Sequence, residues 1–259
     1  MALRIGIGIV TYNRKDVLAE TLARVRAHTK LQSLLMVADD GSDDGTPDFV
    51  RSQGITVATG RNKGVAWNKN RALFLLAEIA HCDIVVLLED DTYPTIDGWE
   101  QDWVLASQGW GHANFAGDWF SDSFVRGVGT VEDPILSRNV SAQCSGFSRA
   151  ALLYGGYMDS RFWGFGQEHV EHTRRLVRVG YGGTHEDIDG DVVPLYKLLK
   201  SPIRVTRPSS FGTPVQSEQS WLLCRQLIFD QTPRMPWRDD AELAQFRTEM
   251  QCALRGSGA

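Results

Sequence analysis

The chain has 259 residues, 42% hydrophobic and 23% charged, with 25 glycines and 9 prolines. This is an ordinary globular composition, long enough for one large domain or two small ones with a real core. The net charge of −5 speaks against a whole-protein electrostatic grip on nucleic acid, though a local basic patch stays open.

No run approaches the roughly 18–20 apolar residues of a membrane span. The opening Met1-Ala-Leu-Arg-Ile-Gly6 lacks the charged and apolar regions of a signal peptide, so we expect a cytoplasmic protein without a membrane partner. Leu3, Ile5, Ile7 and Ile9 alternate with small or polar residues, a strand pattern that runs into Thr11-Tyr12-Asn13-Arg14. Asp16 to His28 has helical apolar spacing at Leu18, Leu22 and Val25. Leu34 to Ala38 is a buried strand ending in Asp39-Asp40-Gly41-Ser42-Asp43-Asp44-Gly45-Thr46, and Pro47 opens a short helix. Ile55 to Ala58 is a third strand. Gly60-Arg61-Asn62-Lys63-Gly64 leads into a helix to about Ala80, with Leu73, Leu76, Ala77 and Ile79 inward. A fourth strand, Ile84 to Leu88, enters Glu89-Asp90-Asp91.

This alternation predicts an α/β fold: a mostly parallel sheet with flanking helices, in which ligands lie beyond the carboxyl ends of the strands. Three of the four strand ends carry polar clusters. The second half is less regular, with short strands and glycine-bearing loops over 115–130. A strand is expected over 143–148, a helical turn over 149–153, and a helix over 168–179 stopped by Gly180. Thr213-Pro214-Val215-Gln216 reads as a capping box opening a helix to about Phe229. We expect a domain over 1–195, with a donor half to about 95 and an acceptor half beyond it. A helical extension over 196–259 would pack on the same domain. Cys82, Cys144, Cys224 and Cys252 stand far apart and read as reduced, mostly buried thiols. Trp99, Trp103 and Trp221 fall at helix-core positions, and His28, His81 and His112 read as structural.

Glu89, Asp90 and Asp91 repel one another at the exit of an apolar strand. They are either a hard-oxygen site for Mg²⁺ or Mn²⁺ that clamps a diphosphate, or a solvated acidic loop. Asp39 could accept hydrogen bonds from a base or ribose, or serve as a turn former like Asp43 and Asp44.

Four stretches taken together resemble family-2 glycosyltransferases of the GT-A type. They are Ile9-Val-Thr-Tyr-Asn-Arg14, Val37-Ala-Asp-Asp-Gly-Ser-Asp-Asp-Gly-Thr46, Asn62-Lys-Gly-Val-Ala-Trp-Asn-Lys-Asn70 and Val86-Leu-Leu-Glu-Asp-Asp91. The resemblance spans roughly 4–185. It implies a GT-A, Rossmann-like sheet and a nucleotide-sugar donor, by family habit a UDP-sugar. Thr11, Tyr12, Asn13 and Asp39 would hold the nucleoside, and Lys69, where arginine is usual, would face the donor phosphates. Asp91 matches the usual metal ligand of an Asp-x-Asp motif. Glutamate at the motif's first position leaves the ribose or second-ligand role between Glu89 and Asp90.

On the acceptor side, Gly155-Gly-Tyr-Met-Asp159 and Phe162-Trp-Gly-Phe-Gly-Gln-Glu-His169 resemble the Trp/Gly-rich loop that leads to an acidic pair at a helix start. An inverting transferase needs a base near the acceptor hydroxyl. Glu168 and His169 compete for that role, against a plain helix-capping alternative. Glu171, His172, Arg174 and Arg175 read as a solvated helix surface. His185 is either a third metal ligand or a surface histidine. Lys197, Lys200, Arg204 and Arg207 form a basic stretch: a cover for the donor diphosphate, a site for a phosphate-rich acceptor, or a solvated run.

The expectation is a metal-dependent inverting glycosyltransferase. Its acceptor hydroxyl would belong to a soluble glycan, a protein or a modified nucleic-acid base. The rivals are a nucleotidyltransferase, for which Thr11 to Lys15 lacks a glycine-rich phosphate loop, and a catalytically silent sugar-binding module.

Overall fold

The computed structural model describes residues 3–164, 166–206, 214–229 and 240–256. In chain order the first half holds β1 (Ile5–Thr11), α1 (Lys15–His28), β2 (Ser33–Asp39), α2 (Thr46–Ser52), β3 (Thr56–Thr59), α3 (Val65–Phe74) and β4 (Ile84–Glu89). After these come β5 (Thr92–Pro94), α4 (Glu100–Trp110), β6 (His112–Phe115), β7 (Phe124–Arg126), β8 (Ile135–Ser137), β9 (Cys144–Ser148) and α5 (Arg149–Gly155). The last elements are α6 (Glu168–Arg178), β10 (Gly183–Ile188), β11 (Asp191–Leu199), β12 (Ile203–Val205), α7 (Pro214–Phe229) and α8 (Asp240–Gly256).

The main sheet runs β3-β2-β1-β4-β9-β6-β11-β8-β7, with β10 paired to β11, and β12 pairs separately with β5. Strands β3, β2, β1 and β4 are parallel, while β9 lies antiparallel between β4 and β6. The expected α/β sheet is therefore present, parallel over β3-β2-β1-β4 and mixed beyond it. Chain order reverses beside β1, since β2 lies on one side of it and β4 on the other. Such a reversal opens a crevice at the carboxyl edge.

The alternation in β1 explains how close the layers come. Ile5, Ile7 and Ile9 enter the core beneath α1 and α4, each side chain contributing roughly 1.5–3 kcal/mol by burial. Gly6 and Gly8 face the other way. A Cβ on Gly6 would stand 2.8 Å from Leu76, and one on Gly8 would stand 3.0 Å from the Ala72 Cβ. Two glycines in one strand thus let the α3 segment lie directly on the sheet. That segment leaves α-helical pairing after Phe74 and continues through one wider turn over Leu75–Ile79, closed by Ala80 N–H donating to Leu75 O at 2.8 Å. Leu73, Leu76 and Ala77 are buried as expected, and Ile79 half-buried.

In the extension, Phe246 and Met250 of α8 enter the same core as Trp67 and Phe74, and Cys224 and Leu227 of α7 join Ala66 and Phe162. Thr213 and Arg207 lie outside the described residues. Trp99 and Trp103 are core residues, but Trp221 is half-exposed, with Arg225 over its ring at 4.7 Å. Cys82, Cys144 and Cys224 are buried and Cys252 is exposed. Among the described residues no helix is long and apolar enough to cross a membrane.

Candidate active site

The sheet register aligns the polar strand ends. Thr11 stands opposite Asp39, Asp39 opposite Thr59, and Val10 opposite Glu89. With strands about 4.8 Å apart, three of the clusters singled out in the sequence share one short edge.

The acids after β4 are not solvated. Asp90 and Asp91 are buried, and Arg14 bridges them, Nη1 to Asp90 Oδ1 at 2.8 Å and Nη2 to Asp91 Oδ2 at 3.0 Å. Thr11 Oγ1 donates to Asp90 Oδ2 at 2.7 Å, and Thr92 Oγ1 to Asp91 Oδ1 at 3.3 Å. Burial pushes the Asp90 carboxyl up to about 7, with repulsion from Asp91 and Glu89 adding to it and Arg14 and Thr11 opposing. Asp91 is raised too, first by burial and then by Glu89. These carboxylates favour a nearby cation.

Lys69 joins this cluster to the acceptor-side segment. Its ammonium, 1% exposed, lies 3.1 Å from Glu89 Oε1 and 3.1 Å from Glu168 Oε1. Burial works against the charge on Lys69, but Glu168 and Glu89 outweigh it and hold the group protonated. Burial likewise works against ionised Glu168, yet Lys69 and then His169 keep its carboxyl well below the usual range. His169 Nδ1 lies 3.3 Å from the same Oε1. Glu168 opens α6, where the positive end of the helix dipole further favours its charge. Lys69 thus meets two carboxylates from within the protein.

The expected nucleoside-binding residues divide. Asp39 is fully buried, and its carboxylate accepts from Gly41 N, Ser42 N, the Ser42 hydroxyl and Thr59 Oγ1. It shapes the loop after β2, and its oxygens already have internal donors. Asn13, at φ +50°, accepts from Asp43 N through Oδ1 and donates its own N–H to Ser42 Oγ. Tyr12, 46% exposed, presents an open ring beside them.

Helix α3 is buried on every side although Asn68, Lys69, Asn70 and Arg71 follow one another in it. Asn68 donates to Thr11 O and Ala38 O, which ties two strand ends together. Asn70 exchanges hydrogen bonds with the Met158 backbone at 2.8 and 2.9 Å. Arg71 meets Asp40 Oδ1 at 2.8 Å, Arg61 O at 2.8 Å and Glu249 Oε2 of α8 at 2.9 Å. Sequence reasoning missed Arg14, Asn68, Asn70, Arg71 and Glu249. The signal for three of them was present: four consecutive polar residues leave a helix no continuous apolar stripe.

The loop before α6 crosses the start of α3 at Gly64, whose φ is +89° and where a Cβ would stand 2.5 Å from Gly164 N. Val65 N donates to Gly164 O at 3.1 Å, and the neighbouring Trp163 ring is 62% exposed.

Helix α6 corrects one expectation. Glu171, His172 and Arg175 are buried, because they hold the turn that precedes the loop. Arg175 clasps Glu171 through Nε and Nη2 at 2.9 and 3.0 Å and donates to Gly155 O and Tyr157 O, while His172 Nε2 donates to Gly156 O. His185 lies on exposed β10, lining a cleft with Arg174 and Arg178, and does not join Glu89 and Asp91. Among the described residues no three His, Cys, Asp or Glu side chains are gathered to hold a metal ion. Of the basic stretch, Lys197 lies over the Trp110 ring and Arg204 is exposed on β12. That strand leads to Thr206, whose N–H donates to Asp91 O at 3.0 Å.

Glu89 and Asp91 repel one another at a buried edge, and carboxylate oxygens are the ligand type that a hard divalent cation takes.

Residues 7–109 match the family described as Glycosyl transferase family 2. No curated protein matches the chain. Among solved structures, the mannosyltransferase PcManGT from Pyrobaculum calidifontis in complex with GDP-Man and Mn²⁺ is 16% identical, at TM-score 0.57, over 99% of this chain and 73% of that one. GalNAc-T7 with UDP, GalNAc and Mn²⁺ is 16% identical at TM-score 0.59, over 96% of this chain. S. aureus TarS is 14% identical at TM-score 0.58, over 95% of this chain. The chain spans 54% of the GalNAc-T7 structure and 43% of the TarS structure. The matched segment contains the acids, Arg14 and α3, and the chain as a whole shares the GT-A fold of these glycosyltransferases.

Proposed function

We propose that the chain moves a sugar, with inversion, from a nucleotide-sugar donor to an acceptor hydroxyl, assisted by Mn²⁺ or Mg²⁺. The observation that carries this reading is the buried Lys69 bridge, which puts Glu168 next to the acids at the strand ends. Asp91 with Glu89 would hold the cation, which when bound supplies positive charge to the diphosphate as it leaves. Arg14 keeps Asp90 and Asp91 in place beside it. Tyr12 offers its exposed ring to the base, while Asp39 and Asn13 fix the loop around it. Glu168 takes the proton of the acceptor hydroxyl. The freed oxygen bonds to the anomeric carbon as the carbon–oxygen bond to the diphosphate breaks, and that electron pair leaves with the nucleoside diphosphate. If Glu168 only orients the acceptor, the proton goes to His169.

We favour a UDP-sugar. Structures of this fold hold GDP-Man in one case and UDP in another, so both nucleotides belong in the test. Nucleoside diphosphate release is measured across a panel of UDP- and GDP-sugars, with and without Mn²⁺. Metal-dependent release from at least one donor is expected. No release under any condition would mean a sugar-binding module instead. Glu168→Gln should retain donor binding and lose transfer by about two to four orders of magnitude. Near-normal turnover in that variant moves the base to His169.

A further inference from the structure

Three of the large exposed aromatic side chains stand at the carboxyl edge of the sheet: Tyr12 after β1, Trp163 on the loop that crosses Gly64, and Trp119 after β6. The proposed reaction gives Trp119 no part. Its ring is 59% exposed on a short helical turn over Asp118–Ser123, yet it is held in place. A Cβ on Gly117 would overlap the indole, so glycine there lets the ring lie against the backbone. The Phe115 and Phe120 rings flank it at 6.1 and 5.9 Å, and Phe120 packs on the core cluster of Ile135 and Tyr196. A ring fixed in this way loses little freedom when a ligand stacks on it.

Strands β4 and β6 both run antiparallel to β9, so they end at one edge, two strand spacings or about 10 Å apart. The segment that enters β9 touches both ends. Gln143 O accepts from Glu89 N at 2.9 Å, and Ser141 Oγ donates to Phe115 O at 3.2 Å. Glu89 shares the Lys69 ammonium with Glu168, so Trp119 follows a strand that ends on the edge where Glu168 lies. The exposed side chains of the turn beside the ring are Asp118, Ser121 and Asp122. The two carboxylates accept no hydrogen bond among the described residues, and Arg126, further on, is paired with Glu186. Sites that stack nucleic-acid bases line the backbone with cations, and free acids would repel its phosphates. A pyranose fits instead: it offers a face of C–H bonds to the indole and a rim of hydroxyls to the carboxylates.

We infer that Trp119 and Asp118 form a saccharide subsite: the indole stacks on the C–H face of a neutral pyranose, and the carboxylate accepts from its hydroxyls. With the strand ends about 10 Å apart, that ring is a different one from the ring whose hydroxyl reacts at Glu168, so the acceptor is an oligosaccharide. The acceptor role rests on the transfer reading above; the saccharide subsite does not.

The test is calorimetry on the full chain without donor, using cellotriose, maltotriose, mannotriose and chitotriose, their monosaccharides, and a heparin tetrasaccharide. At least one neutral trisaccharide should bind about three- to tenfold more tightly than its monosaccharide. Trp119→Ala should remove that gain and Trp119→Tyr should keep most of it. Tyr154→Ala, at an exposed ring elsewhere, should change nothing. Asp118→Ala should weaken the same binding by about threefold at an unchanged melting temperature, which tests the subsite even where Trp119→Ala unfolds. No gain for any trisaccharide, tightest binding by the heparin fragment, or the same affinity in Trp119→Ala and wild type overturns the subsite. If a trisaccharide binds through Trp119 but no donor releases nucleoside diphosphate, the subsite stands and only its acceptor role falls. If donors turn over and Trp119→Ala binds every trisaccharide as the wild type does, transfer stands and the subsite falls.

Discussion

At Lys69 one ammonium serves two carboxylates from separate parts of the chain, Glu89 from a strand end and Glu168 from a helix start. Removing one member of a buried ion-paired group costs more than the group adds, because the charge left behind has lost both water and partner. Lys69→Met should therefore lower stability by about 3–5 kcal/mol, read from urea unfolding. A loss below about 1 kcal/mol would mean that Glu168 draws its stability from His169 instead. Much of this residue scale was legible in the sequence. Adjacent acids at the end of an apolar strand, and an acidic residue opening a helix after a glycine-rich loop, are local patterns. The partner of each acid was not legible, because Arg14 and Lys69 reach their carboxylates over sequence separations of 77 and 99 residues.

The elements show why α3 needs four polar residues in a row. It lies between the strand ends, the 158–164 loop and α8, so it is buried all round, and its polar side chains meet backbone and charged groups where its apolar ones meet the core. Helix α8 closes the network: Glu249 accepts from Arg71 Nε at 2.9 Å and Trp67 Nε1 at 3.1 Å, and Gln245 accepts from Lys63 Nζ at 2.8 Å. Glu249→Ala leaves two buried donors without this acceptor and should cost about 2–3 kcal/mol in denaturant unfolding. Arg71 keeps Asp40, which limits the loss. The apolar patterns of β1, α1, β2 and β4 located those elements to within a residue or two, since α1 buries one regular face and the strands are mostly buried on both. The same rule misplaced the α6 residues Glu171, His172 and Arg175. Charged residues at helical spacing look solvated in a sequence, and here the carbonyls of the Gly155–Tyr157 turn, which accept from Arg175 and His172, draw them inward.

On the scale of the whole molecule, buried imidazoles set the response to acid. Burial pushes His112 down to about 4, only partly offset by the Gly146 carbonyl, and burial then Arg175 push His172 well below its ordinary value. With Nδ1 donating to Gly146 O, the Nε2 of His112 accepts from Asn114 Nδ2 at 2.9 Å, and a second ring proton would oppose that donor. A folded-state value below the unfolded one means that this stability is complete above the unfolded pKa. It is then lost as pH falls from about 6.5 towards 4. His112 alone should account for about 3 kcal/mol of that loss. His112→Gln should be less stable at pH 7 but show a flatter profile between pH 7 and 4, and an unchanged slope would assign the acid sensitivity elsewhere.

The parallel part of the sheet was readable from its β-α-β rhythm, whereas the mixed half beyond β4 was not. Short strands such as β7 and β8 carry too few residues to show a period, and their pairing follows from the chain's return through β11. On the proposed function, the carboxylates after β4 hold a cation on which nucleotide binding depends. This dependence is tested most directly by titrating UDP and GDP into the wild-type chain and Asp91→Asn, each with and without Mn²⁺, by calorimetry. The wild type should bind one of the nucleotides with Mn²⁺ at least about tenfold more tightly than without it, and Asp91→Asn should lose that difference. Equal affinity with and without the metal in the wild type, or a metal effect that survives Asp91→Asn, would contradict it.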